Sequence, residues 1–259
     1  MLSGVSHPHP DRRDRQAPHL FPGHHYLRLY RMLSAKMEDY LKAIYELSKR
    51  EGEPVSTSEL AEYLDVTSPT ATSMMATLDD RGLVEREKYR GVELTTEGET
   101  VALEVLRHHR LIETYLAEQL DYDWAEVHDE ADRLEHHISE EFERRVAEQL
   151  DDPDVDPHGD PIPTETLDPL DHGEAATLGD HAEGDRLVVR RVSDRDPAEL
   201  AYLQEAGITP GTELTVTELA PIGVVTVTLA SGDTVSLSDE VAASIRVEPA
   251  EEPAPNGPA

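Results

Sequence analysis

Between Ser56 and Thr95 the chain runs STSELAEYLDVTSPTATSMMATLDDRGLVEREKYRGVELT. Ser56-Thr57-Ser58-Glu59 has the Ser-x-x-Glu spacing of a capping box and opens a short helix through Leu60 to Leu64. Asp65-Val66-Thr67 is a tight turn. Thr67 or Ser68 then caps a helix with Pro69 at its first position, which continues through Met75 and Leu78 to Arg81 and stops at Gly82. Leu83 to Glu87 and Val92 to Thr95 alternate as two strands, joined by Lys88-Tyr89-Arg90-Gly91. Upstream, from Ala35, Met37, Leu41, Ile44, Tyr45 and Leu47 recur close to the 3.6-residue helical period. Helix, helix, turn, helix, hairpin is the order of a winged helix-turn-helix. Its recognition helix reads base edges and phosphates with short polar side chains near the N-terminus. The candidate DNA contacts are Thr67, Ser68, Pro69, Thr70, Thr72 and Ser73 on that helix, with Lys88 and Arg90 in the wing. The hydroxyls would cap a helix whatever its function, and the adjacent Asp79 and Asp80 repel phosphate.

Downstream the pattern predicts three helices, from Glu97 to Leu120, from Trp124 or Glu126 to His137, and from Ser139 to Leu150. Their apolar residues (Leu103, Leu106, Leu111, Tyr115, Leu116, Ile138, Phe142, Val146) exceed what so small a bundle buries. A subunit interface is the economical explanation, and a closed homodimer the commonest form of one. The same helices carry a second chemistry. His109 and Glu113 are four residues apart, as are His128 and Asp132, while Asp132, Glu135 and His136 stand at i, i+3 and i+4. Each set would project from one helix face. Imidazole nitrogen with carboxylate oxygen suits a divalent first-row metal. In a chain this acidic, the same spacings also arise as an ordinary solvated face.

Asp151 to about Asp180 is acidic and rich in Pro and Gly, the composition of a linker. Five short strands follow, at 186–192, 213–219, 224–229, 234–237 and 244–247, interrupted by one helix from Pro197 to Ala206, which predicts a small barrel of SH3 type. Residues 1–34 lack periodicity and, like 249–259, are expected to be disordered. The histidines His7, His9, His19, His24 and His25 fall in that unpatterned extension, and Met32 or Met37 would be plausible alternative starts of translation.

The chain has no Cys, so a metal site must be built from nitrogen and oxygen donors. It carries 55 acidic and 23 basic residues, a net charge of −32, and only four Lys. That balance is expected of a protein from a salt-accumulating halophile, where molar salt shortens the Debye length to about 3 Å and screens self-repulsion. No apolar run approaches the ~18 residues of a membrane span, and no signal peptide opens the chain, so a cytoplasmic protein is expected.

In their order, several motifs resemble the diphtheria-toxin-repressor family of metal-activated transcription factors, its manganese-responsive branch included. They are the run Met37 to Leu47 (MEDYLKAIYEL), Ser68-Pro69-Thr70, Arg81-Gly82-Leu83-Val84, Leu94-Thr95-Thr96-Glu97-Gly98, His109-Arg110-Leu111, Val127-His128-Asp129-Glu130-Ala131 through Glu135-His136, and Gly159-Asp160-Pro161-Ile162-Pro163. The resemblance covers residues 35 to 248. It implies a mainly α protein with a β domain: a winged helix-turn-helix over 35–98, a helical dimerisation and metal-binding domain over 99–150, a linker over 151–183 and an SH3-like, FeoA-like barrel over 184–248.

The resemblance also implies two metal sites. Asp39 joins Asp132, Glu135 and His136 in one; His109, Glu113 and His128 meet barrel ligands in the other, with Asp196 and Glu199 as the candidates. The iron-responsive branch uses Met and Cys where this chain has Asp39 and Asp132, and the manganese branch has Glu where this chain has Lys42. Carboxylates in place of sulfur favour a harder ion, Mn²⁺ first and Fe²⁺ second. The expected function is metal-dependent repression of metal-uptake genes through a palindromic double-stranded operator. The rivals are a regulator answering to an organic ligand or partner protein, with the His/Glu cluster structural, and an enzyme. The enzyme is disfavoured, because the chain has no His-Glu-x-x-His, no Gly-rich phosphate loop and no nucleophile beside a base.

Overall fold

The computed structural model describes residues 33–51, 54–87, 90–170 and 175–250. The N-terminal His cluster, Lys88 and most of the two expected tails lie outside the described residues.

The winged helix-turn-helix is as read. Helix α1 (Ala35–Glu51) buries Tyr40, Leu41, Ile44 and Tyr45. Helix α2 (Thr57–Tyr63) starts in the expected capping box, with Glu59 N–H donating to Ser56 Oγ (3.2 Å) and Ser56 N–H to Glu59 Oε2 (2.7 Å). Helix α3 (Ser68–Asp80) is capped by Thr67 and turns Ala71, Met75 and Leu78 into the core. Strands β1 (Val84–Glu87) and β2 (Gly91–Leu94) pair antiparallel to form the wing. Val55 bridges to Val92 beside them. A Cβ on Gly91 would lie 2.0 Å from Val55 O, so only glycine fits where the wing meets that strand.

Helix α4 (Thr96–Leu120) is the longest element among the described residues at 25 residues, and at 1.5 Å per residue it reaches about 37 Å. Helix α5 (Val127–Leu134) is shorter than expected, and α6 (Glu140–Gln149) follows with Ser139 as its cap. The predicted helix to His137 instead ends at Leu134, where Glu135 is the cap and His137 N–H bonds Leu134 O in a turn. The turn carries Ile138 back onto the cluster of Ile112, Leu116, Val127 and Ala131, contacts that a continued helix would forfeit.

The linker expectation is corrected. In 151–170 the backbone is packed, with Asp156, His158 and Ile162 buried. Asp156 Oδ1 accepts the N–H groups of His158 (2.8 Å) and Asp160 (2.9 Å), which closes a loop at Gly159 with φ +89°. A Cβ on Gly159 would lie 2.0 Å from Arg190 O. From α4, Arg107 and Arg110 donate to the carbonyls of Pro163 and Pro161, each at 2.6 Å. Proline carbonyls that would face water in a free linker are here satisfied by two buried arginines.

The β domain holds all five expected strands: β4 (Arg186–Val192), β5 (Glu213–Ala220), β6 (Val224–Leu229), β7 (Thr234–Ser238) and β8 (Ile245–Pro249). The expected helix is α7 (Pro197–Glu205). Three further elements appear: the two-residue strand β3 (Ala176–Thr177), inside the expected linker, a single 3-10 turn (Leu178–Asp180) after it, and helix α8 (Asp239–Ser244). The sheet is antiparallel in the order β3-β8-β4-β5-β6-β7, with register shifts at Val189/Arg191 and Val216/Glu218 that bend it. Leu187, Val189, Val216, Val227, Leu200 and Leu203 form its core with α7, and α8 packs against β3, β6, β7 and β8.

Candidate metal centre

Helices α1, α4 and α5, with the residues after β4, bring His and carboxylate donors to a cavity of about 830 Å³. The first grouping is Asp39, Glu135 and His136. Asp39 comes from α1; Glu135 and His136 come from the turn that ends α5. His136 Nε2 lies 2.8 Å from Asp39 Oδ1 and 3.4 Å from Glu135 Oε1, while its Nδ1 is 2.6 Å from Glu38 Oε2. Glu38 therefore fixes the ring from behind and leaves Nε2 facing the carboxylates, the usual support for a metal-binding imidazole.

The second grouping is His109, Glu113, His128 and Asp194. His109 Nε2 and His128 Nδ1 lie 3.0 and 3.1 Å from Glu113 Oε1, and His128 Nδ1 is 3.2 Å from Asp194 Oδ2. Ligands at right angles around an ion, each bonded at about 2.1 Å, stand about 3 Å apart, so these separations fit one. Glu113 is fully buried, and its Oε2 is without a hydrogen-bond partner. An orphaned carboxylate oxygen at this depth is costly unless a cation compensates it. The donor set, all nitrogen and oxygen, fits a divalent first-row ion.

Charge in the cavity is strongly coupled. Burial alone would lower each imidazole, but the surrounding carboxylates outweigh it. Asp194 and Glu113 raise His128 to about 11, Asp39 and Glu38 raise His136 to about 10, and Glu113 and Glu135 raise His109 to about 9. Burial would raise Glu135, yet Lys42 and His109 hold it down at about 2. Glu113 and Asp194 are likewise held below the usual carboxylate range by their histidines against the effect of burial. Lys42 is driven above its ordinary value, because Glu135, Asp132 and Glu46 overcome the desolvation that would lower it.

Seven of the nine expected metal-site residues gather here, though in a different partition. Glu135 caps α5 with helical backbone, so Asp132 and Glu135 still reach one point, Lys42 Nζ, while His136, in the turn beyond, faces Asp39 and Glu38. Asp132 points to Lys42 and His109, with Oδ1 at 2.9 and 3.3 Å respectively, instead of joining Asp39. Asp196 and Glu199 are not in the cavity, which corrects the expectation for the barrel ligands. Asp196 Oδ1 accepts the N–H groups of Ala198 (2.9 Å) and Glu199 (3.4 Å) as the cap of α7, and Glu199 accepts from Ser244 Oγ. Asp194 reaches His128 instead. A signal for this was available: Asp196-Pro197-Ala198-Glu199 is an N-cap with Pro at the first helical position, which commits the Asp196 carboxylate locally and leaves Asp194 as the nearest other candidate.

On the DNA side, Thr67, Ser68, Pro69, Thr70, Thr72 and Ser73 form an exposed row at the start of α3, and Arg90 is exposed in the wing. Thr67 Oγ1 and Thr70 Oγ1 are 2.8 Å apart, and Thr72 Oγ1 donates to Ser68 O at 2.8 Å.

Three family models match the chain in order. "Iron dependent repressor, N-terminal DNA binding domain" covers residues 32–92, "Iron dependent repressor, metal binding and dimerisation domain" covers 95–164, and "FeoA domain" covers 176–249. The diphtheria toxin repressor of Corynebacterium glutamicum is 35% identical over 83% of this chain and 96% of its own. The chain belongs to the iron-dependent repressor family. Another relative, the iron-dependent repressor IdeR of Mycobacterium tuberculosis, is 33% identical over 82% of this chain and 96% of its own. Among solved structures, a manganese-dependent transcriptional repressor in complex with manganese superposes with a TM-score of 0.76 at 38% identity, over 83% of this chain and 100% of that one. The manganese regulator SloR does so with a TM-score of 0.70 at 35% identity, over 83% and 98%. As a member of this family of metal-dependent repressors the chain is a DNA-binding transcriptional regulator and not an enzyme.

Proposed function

We propose that the chain represses metal-uptake genes as a cytoplasmic homodimer on a palindromic operator, and that Mn²⁺ or Fe²⁺ switches it on. Asp39, Glu135 and His136 would hold one ion, and His109, Glu113, His128 and Asp194 a second. When bound, the ion supplies the positive charge that lets these buried carboxylates stand together with neutral imidazoles. An all-nitrogen-and-oxygen donor set without sulfur favours Mn²⁺ over Fe²⁺. The carboxylate-rich composition suits a salt-rich cell interior.

The observation that carries the reading is the origin of the first grouping: Asp39 stands on the first helix of the DNA-binding domain, and Glu135 and His136 in the helical segment. Leu120, Leu134 and Phe142 are exposed apolar residues of that segment, which supports its use as a dimer interface. Holding α1 against the turn after α5 fixes the pose of α3 relative to the dimer. Two recognition helices enter successive major grooves only when held about one DNA turn apart. A ligand that prefers this pose shifts the population toward it, which is what allosteric activation requires. The test is a gel shift on the chain's own upstream DNA with Mn²⁺, Fe²⁺, Zn²⁺ and chelator. Retardation that requires Mn²⁺ or Fe²⁺ is expected; equal retardation in chelator would overturn the reading.

A further inference from the structure

A third grouping of donors, His109, Asp132 and Glu135, lies between the other two and shares His109 with one and Glu135 with the other. Unlike them, it already surrounds a cation. Lys42 Nζ donates to Asp132 Oδ1 at 2.9 Å and to both oxygens of Glu135 at 2.9 Å, and lies 3.4 Å from His109 Nδ1. The Asp132 and Glu135 oxygens around the ammonium are thus those an ion in this grouping would take; a neutral His109 gives its one lone pair either to this ion or to the second grouping. A metal bonded to those oxygens at about 2.1 Å would occupy the volume the ammonium fills. The Lys42 side chain is only 13% exposed and the Glu135 side chain 1%, so water does not offer the ammonium an easy alternative partner.

Position in the chain explains how Lys42 arrives there. It is three residues beyond Asp39 on α1, so the two side chains leave the same face of one helix, one turn apart. One supplies a carboxylate to the first grouping and the other a fixed positive charge to the third.

We propose that Lys42 is a resident cation that stands in for a third metal ion, so that the chain loads one divalent ion fewer than its His and carboxylate groups could hold. The proposal rests on the metal-dependent reading above. It also gives α1 a contact with the turn after α5 that needs no metal, through Lys42 and Glu135.

The test is a count of ions on the full-length protein. Wild type, Lys42→Glu and Lys42→Gln are equilibrated with Mn²⁺ by dialysis and measured by plasma mass spectrometry. Electron paramagnetic resonance reports pairs of neighbouring Mn²⁺ ions by their coupled signal. The wild-type count tests the proposed function, with two ions per chain expected. The difference between variant and wild type tests Lys42. One additional ion in Lys42→Glu, with a coupled signal stronger than in wild type, is the expected result. Lys42→Gln, which keeps the side-chain bulk and removes the charge, should gain the same ion with weaker affinity, and it carries the test if circular dichroism shows Lys42→Glu to be unfolded. Two ions in wild type and no gain in the folded variants overturns the role of Lys42 while leaving the metal reading intact. No ions in any of the three overturns both.

Discussion

The two donor groupings are built from the same chemistry and placed to do different mechanical work. Asp39–Glu135–His136 joins the DNA-binding domain to the turn after α5, and its Asp39 side chain is 43% exposed. His109–Glu113–His128–Asp194 joins α4 and α5 to the stretch between β4 and α7, around a Glu113 with no exposure. The first is open to solvent at Asp39, on the first helix of the DNA-binding domain. The second lies deeper and ties the FeoA domain to the helical core. Under the proposed function, this difference fits the first grouping to switching and the second to fastening.

Removing a ligand of the first grouping should break this division most visibly. Asp39→Ala or Glu135→Ala is expected to leave the fold intact by circular dichroism and to lower Mn²⁺-stimulated DNA affinity at least about 100-fold, the scale on which a ligand strongly preferring one pose shifts a two-state equilibrium. Gel shifts in Mn²⁺ and in chelator read the effect. Glu38→Gln should act through the orientation of His136 alone, with Mn²⁺ affinity falling about 10- to 100-fold by calorimetry. Rescue of DNA binding at high Mn²⁺ would distinguish it from loss of a ligand.

Asp194→Ala sharpens the contrast from the other side. It should remove one ion per chain yet reduce DNA affinity no more than about 10-fold, since the contact it breaks lies on the FeoA side. An effect as large as that of Asp39→Ala would erase the distinction between the groupings. Asp196→Ala is the matching control: it should cost about 1 kcal/mol of stability as the loss of a helix cap and leave the ion count unchanged. The smallest expected effect lies outside both groupings. Burial raises Glu104 on α4 to about 7, helped by Glu143, Glu140 and Glu38 and opposed by His108. The folded state then holds a proton between pH about 4.5 and 7 that the unfolded state has released, so this group's contribution falls as pH rises through that window. Glu104→Gln should abolish the decline, matching wild type at pH 4 and exceeding it by on the order of 1 kcal/mol at pH 8. Denaturant titrations at the two pH values check it.

Where the sequence was legible, the signal was local. The capping box at Ser56, the Thr67 cap with Pro69, and the alternation of the wing all depend on residues within four positions of one another, and all recur in the structure with boundaries shifted by a residue or two. Where it misled, the decisive partner was far away in the chain. The Pro-rich stretch after Asp151 looks unstructured because its hydrogen-bond donors, Arg107 and Arg110, are some fifty residues upstream. Helix α5 stops early because Ile138 is drawn to a cluster that includes Ile112 and Leu116. Lys42 was visible as an odd residue among metal-site motifs, but its engagement with Asp132 and Glu135, |i−j| of 90 and 93, was not.

The amino-acid order by itself determined the winged helix-turn-helix, the long helix and the five main strands, that no thiolate would serve a metal site, and which two helices carry most of the donors. These follow from backbone propensity, capping and the chemistry of the side chains. Tertiary structure alone decided how those donors group, the choice of Asp194 over Asp196, and the insertion of Lys42 among Asp132, Glu135 and His109. A carboxylate's partner is settled by which groups meet it within about 3 Å after packing, and the local sequence does not encode that distance.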